Sequence, residues 1–295
     1  MAKNACASLD TAGWINHLCH RLSRQCDLLP GPLRRLGIVW PGSCVQVRAT
    51  TSRPVGWPIV AAQKQPEQQA PPVQRLRIRY VKRGRARFTS HRDVVRAFER
   101  ALRRAHVPMA YSSGFNPHPR ISYANSSPTG AATEAEYLEI GLAQVCDPEK
   151  VLAALNAAMP DGLELCAVRV ATEGKVSDGL EASVWRVELP GADGRVMADA
   201  ARVFLDADRV ETERMTKHGA RTFDARSDVK GISAYVTDGI PVLDLVIAHG
   251  EPLVRPDDVL RALQQLHPAF AVADPPRLTR LAQGRLELNR VVAPW

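Results

Sequence analysis

From Arg75 onward the chain alternates, with Leu76, Ile78 and Tyr80 falling between Arg75, Arg77 and Arg79. A period of two with one apolar and one charged face predicts a half-buried strand carrying a row of arginines. The period then lengthens. Ser90, followed three residues on by Asp93, has the form of a helix N-cap with a capping-box acid. Val94, Phe98, Ala101, Leu102 and Ala105 recur at helical spacing, and Arg96, Arg100, Arg103 and Arg104 fall on other faces. Residues 109–124 interrupt the pattern with Gly114, Pro117 and Pro119, so a loop is expected. Glu134, Glu136, Leu138, Ile140 and Leu142 restore the period of two. Asp147 and Pro148 open a second helix with Val151, Leu152, Leu155 and Met159 inward, and 163–171 reads as a strand. Strand, helix, strand, strand, helix, strand is the order of a ferredoxin-like βαββαβ unit.

The pattern recurs. Pro148 to Pro160 aligns without gaps on Pro256 to Pro268, 108 residues later, with Pro, Val, Leu, Ala, Leu and Pro coinciding. The same offset carries the strand at 76–82 onto 183–189, that at 136–142 onto 243–249, and 163–171 onto 271–279. The expected fold class is therefore α+β, with two tandem ferredoxin-like units with antiparallel sheets over 75–172 and 180–292. Residues 1–74 lack a sustained period and end in a Pro- and Gln-rich tether. They are expected to form a disordered extension, or to reflect a start placed too early.

Composition narrows the function. Of 295 residues, 45% are hydrophobic and 24% charged, a globular balance, with a formal net charge of +8. That charge is local: residues 75–124 hold thirteen Lys or Arg against two acids, Asp93 and Glu99, while the chain after 124 is net acidic. A basic stretch around the most unusual loop points to an anionic partner. The loop holds His118 between Pro117 and Pro119, with Arg120 beside it and Tyr111, Phe115 and Tyr123 as flat faces. This make-up suits base stacking and phosphate contact. The alternative is a Pro-rich turn whose aromatics fill the core. In the second copy, 222–232 stands where 114–124 stands in the first. There Lys217, Asp224 and Arg226 are candidate site residues, although the mixed signs of Arg221, Asp224, Arg226, Asp228 and Lys230 equally fit self-paired surface charges.

No apolar run is long enough to span a membrane, and six cysteines without a Cys-x-x-Cys pair suggest a reducing, cytoplasmic setting. His17, Cys19, His20 and Cys26 lack zinc-site spacing, so no metal is expected. With no Walker loop, no Gly-x-Gly-x-x-Gly, no His-Glu-x-x-His and no nucleophile elbow, no cofactor is expected either.

Thr89 to Asp93, Phe98 to Ala101, Pro108 to Pro119 and Glu134 to Leu138 resemble the radical-SAM-linked protein family, a domain of unknown function of the DUF2344 type. The resemblance extends over about 75 to 290 through Thr216-Lys217 and Phe223 to Arg226, and it implies association with a radical-SAM protein. The chain has no Cys-x-x-x-Cys-x-x-Cys motif of its own.

Three functions are compatible with these residues. The first is an RNA-binding accessory protein in which Arg77, Arg79, Arg92, Arg96 and Arg120 meet phosphates while Tyr111, Phe115 and His118 meet bases or sugars. The second is a metal-independent RNA-processing enzyme with His91 or His118 as general acid or base. The third is a docking module for a radical-SAM partner.

Overall fold

The computed structural model describes residues 68–295 apart from His218, and these belong to one compact unit. The expectations for residues 1–67, including the extension and the His17, Cys19, His20, Cys26 group, lie outside the described residues. The last residues of the expected tether are tied down. Gln69 N–H donates to Ser113 Oγ (2.9 Å), Val73 N–H donates to Leu142 O (2.8 Å), and Pro72 packs over Gly141.

Strand β1 (Gln74–Lys82) buries Leu76, Ile78 and Tyr80 and leaves the arginines on its other face, as the alternation requires. Helix α1 (His91–Arg104) is capped by Ser90, whose Oγ accepts from Asp93 N–H. It buries Val94, Ala97, Phe98, Ala101 and Leu102. The Phe98 ring meets Tyr80 edge-on at 4.8 Å. After an irregular stretch come β2 (Ile121–Ala124), β3 (Ala132–Leu142), α2 (Pro148–Ala158) and β4 (Leu165–Val170). Asp147 Oδ1 accepts from Glu149 N–H and fixes the α2 start. β3 lies antiparallel to both β1 and β2, and β1 lies antiparallel to β4.

The second half supplies β5 (Ala182–Glu188), α3 (Gly194–Asp206), β6 (Glu211–Thr216), β7 (Gly219–Asp224), β8 (Val229–Thr237), β9 (Ile240–Ala248), α4 (Pro256–Leu266), β10 (Arg277–Glu287) and the short β11 (Arg290–Val292). β5 pairs antiparallel with β9 and β10, and β8 with β9. Counting four corresponding strands in each half, both run fourth, first, third, second. A single sheet results, because β3 and β10 make a short parallel contact at Ala132 and Thr133 with Thr279 and Arg280. Apart from that contact, antiparallel pairing dominates.

Two departures from the sequence expectation have identifiable causes. The strand expected over 271–279 begins only at Arg277, because Pro275 and Pro276 have no N–H to give to a ladder. Between α3 and β8 the second half carries a hairpin, β6–β7, where the first half has an irregular loop. Arg214 of this hairpin holds it to α4 through the buried Asp258 (2.9 Å), with a cation–π contact to Phe223 at 5.1 Å.

Each half has its own apolar core. A third, smaller cluster joins Ala124, Ala135 and Tyr137 to Val176 and Leu180. The ring of Trp295 packs edge-on against Tyr137 at 4.6 Å. Among the described residues no helix is long and apolar enough to cross a membrane.

Candidate functional site

The exposed face of α1 is a consequence of its apolar stripe. With Val94, Phe98, Ala101 and Leu102 turned to the core, Arg92, Arg96, Arg100, Arg103 and Arg104 are left in solvent. Arg96 lies 3.8 Å from Asp93, a weak exposed pair; among the described residues Arg92, Arg100 and Arg104 carry no ion pair. The Ser90 hydroxyl donates to Asp93 Oδ2 (2.7 Å), and this bond first, with Arg96 and Arg100 behind it, holds the Asp93 carboxyl below the usual range. His91 at the helix start meets the Tyr123 ring edge-on at 5.0 Å. The Tyr123 hydroxyl is buried without a hydrogen-bond partner, and burial raises its pKa.

The loop ahead of β2 is braced rather than loose. Ser112 N–H donates to His118 O (2.8 Å), His118 N–H donates to Ser112 Oγ (3.0 Å), and Arg120 N–H donates to Ala110 O (2.8 Å). These bonds make a narrow hairpin-like strap whose tip runs through Gly114, at φ 132°, a conformation that other residues rarely adopt. Arg120 Nε donates to Tyr111 O (3.0 Å) with its side chain exposed. Between strap and helix lies a cleft of about 190 Å³ lined by Glu99, Leu102, Arg103, Tyr111, His118 and Pro119, among others. Tyr111 is 39% exposed and Phe115 61%.

Some of the expected site residues are thus brought together and others are not. Arg92, Arg96, Arg120, Tyr111, Phe115 and His118 belong to α1 or the strap next to it. His91 is turned to Tyr123 and does not line the cleft. Arg77 and Arg79, expected to face phosphate, are committed elsewhere. Arg77 pairs with Glu139 (3.2 Å) and reaches Glu173 O and Gly174 O, while Arg79 donates twice to Glu134 O. The row expected to be free is covered by the neighbouring strand and the 172–174 segment. Lys217, Asp224 and Arg226 are not one site either. Lys217 lies in the turn of the β6–β7 hairpin, whereas the other two sit at its base. Asp224 Oδ1 accepts from the N–H of Val210 and of Arg226, and the Arg226 guanidinium donates to Val229 O and Leu205 O above the Phe204 ring. These bonds close a turn. Tyr123 packs rather than presenting a face. Phe88, 68% exposed just before α1, is an aromatic that sequence reasoning passed over, although it stands among arginines.

Also unforeseen is a cavity of about 180 Å³ lined by residues of both halves, among them Asn125, Ser183, Trp185, His249, Asp257 and Arg280. Its polar side is a connected set. Arg280, 1% exposed, pairs with Glu136 (2.6 Å), donates to Asn125 O (2.8 Å) and lies over the Trp185 ring at 5.4 Å. Glu136, in phase with Leu138 and Ile140, and Lys82, in phase with Ile78 and Tyr80, are the sequence signs of charges directed inward.

Burial first, with Arg280 adding to it, holds His249 below 6.5, although its bond to Leu180 O works the other way. A histidine less basic folded than unfolded contributes stability that is complete above pH 6.5 and is lost as pH falls through the folded value. His249→Gln should therefore flatten the wild-type decline in melting temperature below pH 6.5. Parallel pH profiles for the two proteins would contradict a depressed histidine. Among the described residues no group of His, Cys, Asp or Glu is placed to hold a metal ion.

A family model described as "Uncharacterized protein conserved in bacteria (DUF2344)" matches residues 75–256. No curated protein matches the chain. Among solved structures, an unknown protein from Galdieria sulphuraria is 14% identical, the match covering 71% of this chain and 99% of that one at a TM-score of 0.22. The first two RRM domains of the yeast poly(U) binding protein Pub1 are 12% identical over 70% of this chain and 99% of that one, at a TM-score of 0.19. Superpositions this loose carry no argument about function.

Proposed function

For this chain, which belongs to the DUF2344 family of bacterial proteins, we propose a single-stranded RNA-binding face made by α1 and the strap at 109–120. The observation that carries the reading is the row of exposed arginines along α1 beside the exposed rings of Tyr111 and Phe115. Exposed guanidinium groups, of which Arg96 alone on this helix forms an ion pair, a weak one with Asp93, supply phosphate contacts, and flat side chains on a braced loop supply stacking for bases that are not paired. We read the two halves as ferredoxin-like units on their shared strand order, which makes the sheet a scaffold for that face. Binding, rather than strand scission, is favoured because His91 is turned to Tyr123 and does not share the cleft with His118, so the two histidines do not pair there as acid and base.

The experiment is a binding titration of the full chain with unstructured RNA oligonucleotides by fluorescence anisotropy at several salt concentrations. Replacing Tyr111 and Phe115 together by Ala should weaken binding by about tenfold or more, since a stacked base is worth about 1–3 kcal/mol. His118→Asn, which keeps some hydrogen bonding, should cost only about 1 kcal/mol. Wild-type protein that fails to bind RNA would refute the reading and leave the basic face to a protein partner, the radical-SAM protein of the family resemblance being the first to try.

A further inference from the structure

We propose that Ser183 and His249 form a nucleophile and base pair in the cavity between the two halves, able to take the acyl group of a small ester. His249 Nδ1 lies 2.8 Å from the carbonyl oxygen of Leu180, which can only accept, so Nδ1 carries the hydrogen and Nε2 the lone pair. Ser183 Oγ lies 2.7 Å from Nε2 and therefore donates its proton to it. A hydroxyl bonded to the basic nitrogen of an imidazole, with the other nitrogen oriented by an acceptor, is the arrangement that activates serine. Here a backbone carbonyl takes the orienting place.

The surroundings suit the chemistry. Ser183 is 1% exposed yet lines the cavity, so a reagent reaches the hydroxyl through it. Trp185, Ile247, Leu253 and Leu278 make the wall apolar. The Asn125 amide nitrogen donates to Gln283 Oε1 (3.3 Å) and sits against the imidazole, 3.2 Å from Nε2 and 3.4 Å from Nδ1, and in the proposed reaction it is the side-chain donor at hand for a developing oxyanion. Burial keeps the ring neutral, the form a general base needs. About 180 Å³ admits an acetyl-sized or somewhat larger acyl group.

In the first step Ser183 Oγ bonds to the ester carbonyl carbon as its proton passes to Nε2. The carbon–alkoxy bond then breaks, and the alcohol leaves with the proton from Nε2. Water repeats the sequence on the acyl-serine, its proton going to Nε2 and back to Ser183 Oγ as the carboxylic acid departs. Ester and water become acid and alcohol, with nothing oxidised or reduced.

The test treats the full chain with a small alkyl fluorophosphonate, in which the serine oxygen displaces fluoride, and separately with p-nitrophenyl acetate, each read by intact and peptide mass. The expected result is one adduct per chain on Ser183, absent in Ser183→Ala and formed about a hundredfold or more slowly in His249→Gln. Asn125→Ala should slow it further than a remote control, Arg202→Gln, which should match wild type. Ser183→Ala removes one oxygen, and an unchanged melting temperature shows that this variant retains its fold. An unmodified wild-type protein after prolonged incubation with both reagents overturns the proposal. So does a Ser183 adduct whose rate ignores His249, because the pair would then be a structural hydrogen bond only.

Discussion

Arg280→Met should lower the stability of the protein by about 3–5 kcal/mol, the range expected when one partner of a buried ion pair is removed and the other charge remains. At this size that corresponds to a fall in melting temperature of about 6–20 °C. Glu136 and Arg280 are each about 2% exposed at the side chain. Glu136 Oε1 accepts from Arg280 and from Ser127 N–H (3.0 Å), while its Oε2 has no partner. Methionine fills much of the volume of arginine but gives that carboxylate nothing. Lys82 lies buried nearby, its pKa lowered first by burial and its Nζ donating to Pro128 O, and its partial compensation sets the lower end of the range. Pairing Arg280→Met with Glu136→Leu should recover part of the loss, since neither partner is then left as an unpaired buried charge, although Lys82 loses the nearby carboxylate and keeps only its bond to Pro128 O. A single variant that melts within a degree or two of wild type would mean that the pair is not a seam holding the halves together.

The second large effect is on binding. Arg92, Arg96 and Arg100 all replaced by Gln should weaken RNA affinity by about a hundredfold at 0.1 M salt and reduce the slope of log affinity against log salt by about 2, because each phosphate contact on a single strand releases about 0.7 of a counterion. Melting should barely change, because these side chains lie off the apolar stripe and only Arg96 of the three forms an ion pair, an exposed one at 3.8 Å. The contrasting variant is Arg77→Gln. That guanidinium is spent on Glu139 and two carbonyls, so its loss should appear in stability and leave the salt slope as it was. An unchanged slope in the triple variant, or a reduced one in Arg77→Gln, would reverse the assignment.

The sequence by itself determined whatever depends on neighbours a few residues apart. The alternation at 76–80 places one face of β1 in the core whatever else folds, and Ser90 with the stripe from Val94 to Leu102 fixes where α1 begins and which arginines stay wet. The 108-residue repeat was also legible, since Pro148 and Pro256 open corresponding helices and Ala132 and Ile240 corresponding strands. Tertiary structure alone decided which strand comes to lie beside which. A period of two puts Arg77 and Arg79 on a face; it does not say that Glu139 and the Glu134 carbonyl will cross to meet them. The same holds for the parallel contact of β3 with β10, separated by more than a hundred residues, and for the cavity assembled from Asn125, Ser183, His249 and Arg280. The choice of neighbour is made by the closing of long loops and the packing of two cores at once, terms that enter only when the whole chain is compact, and so it leaves no period or spacing in the sequence.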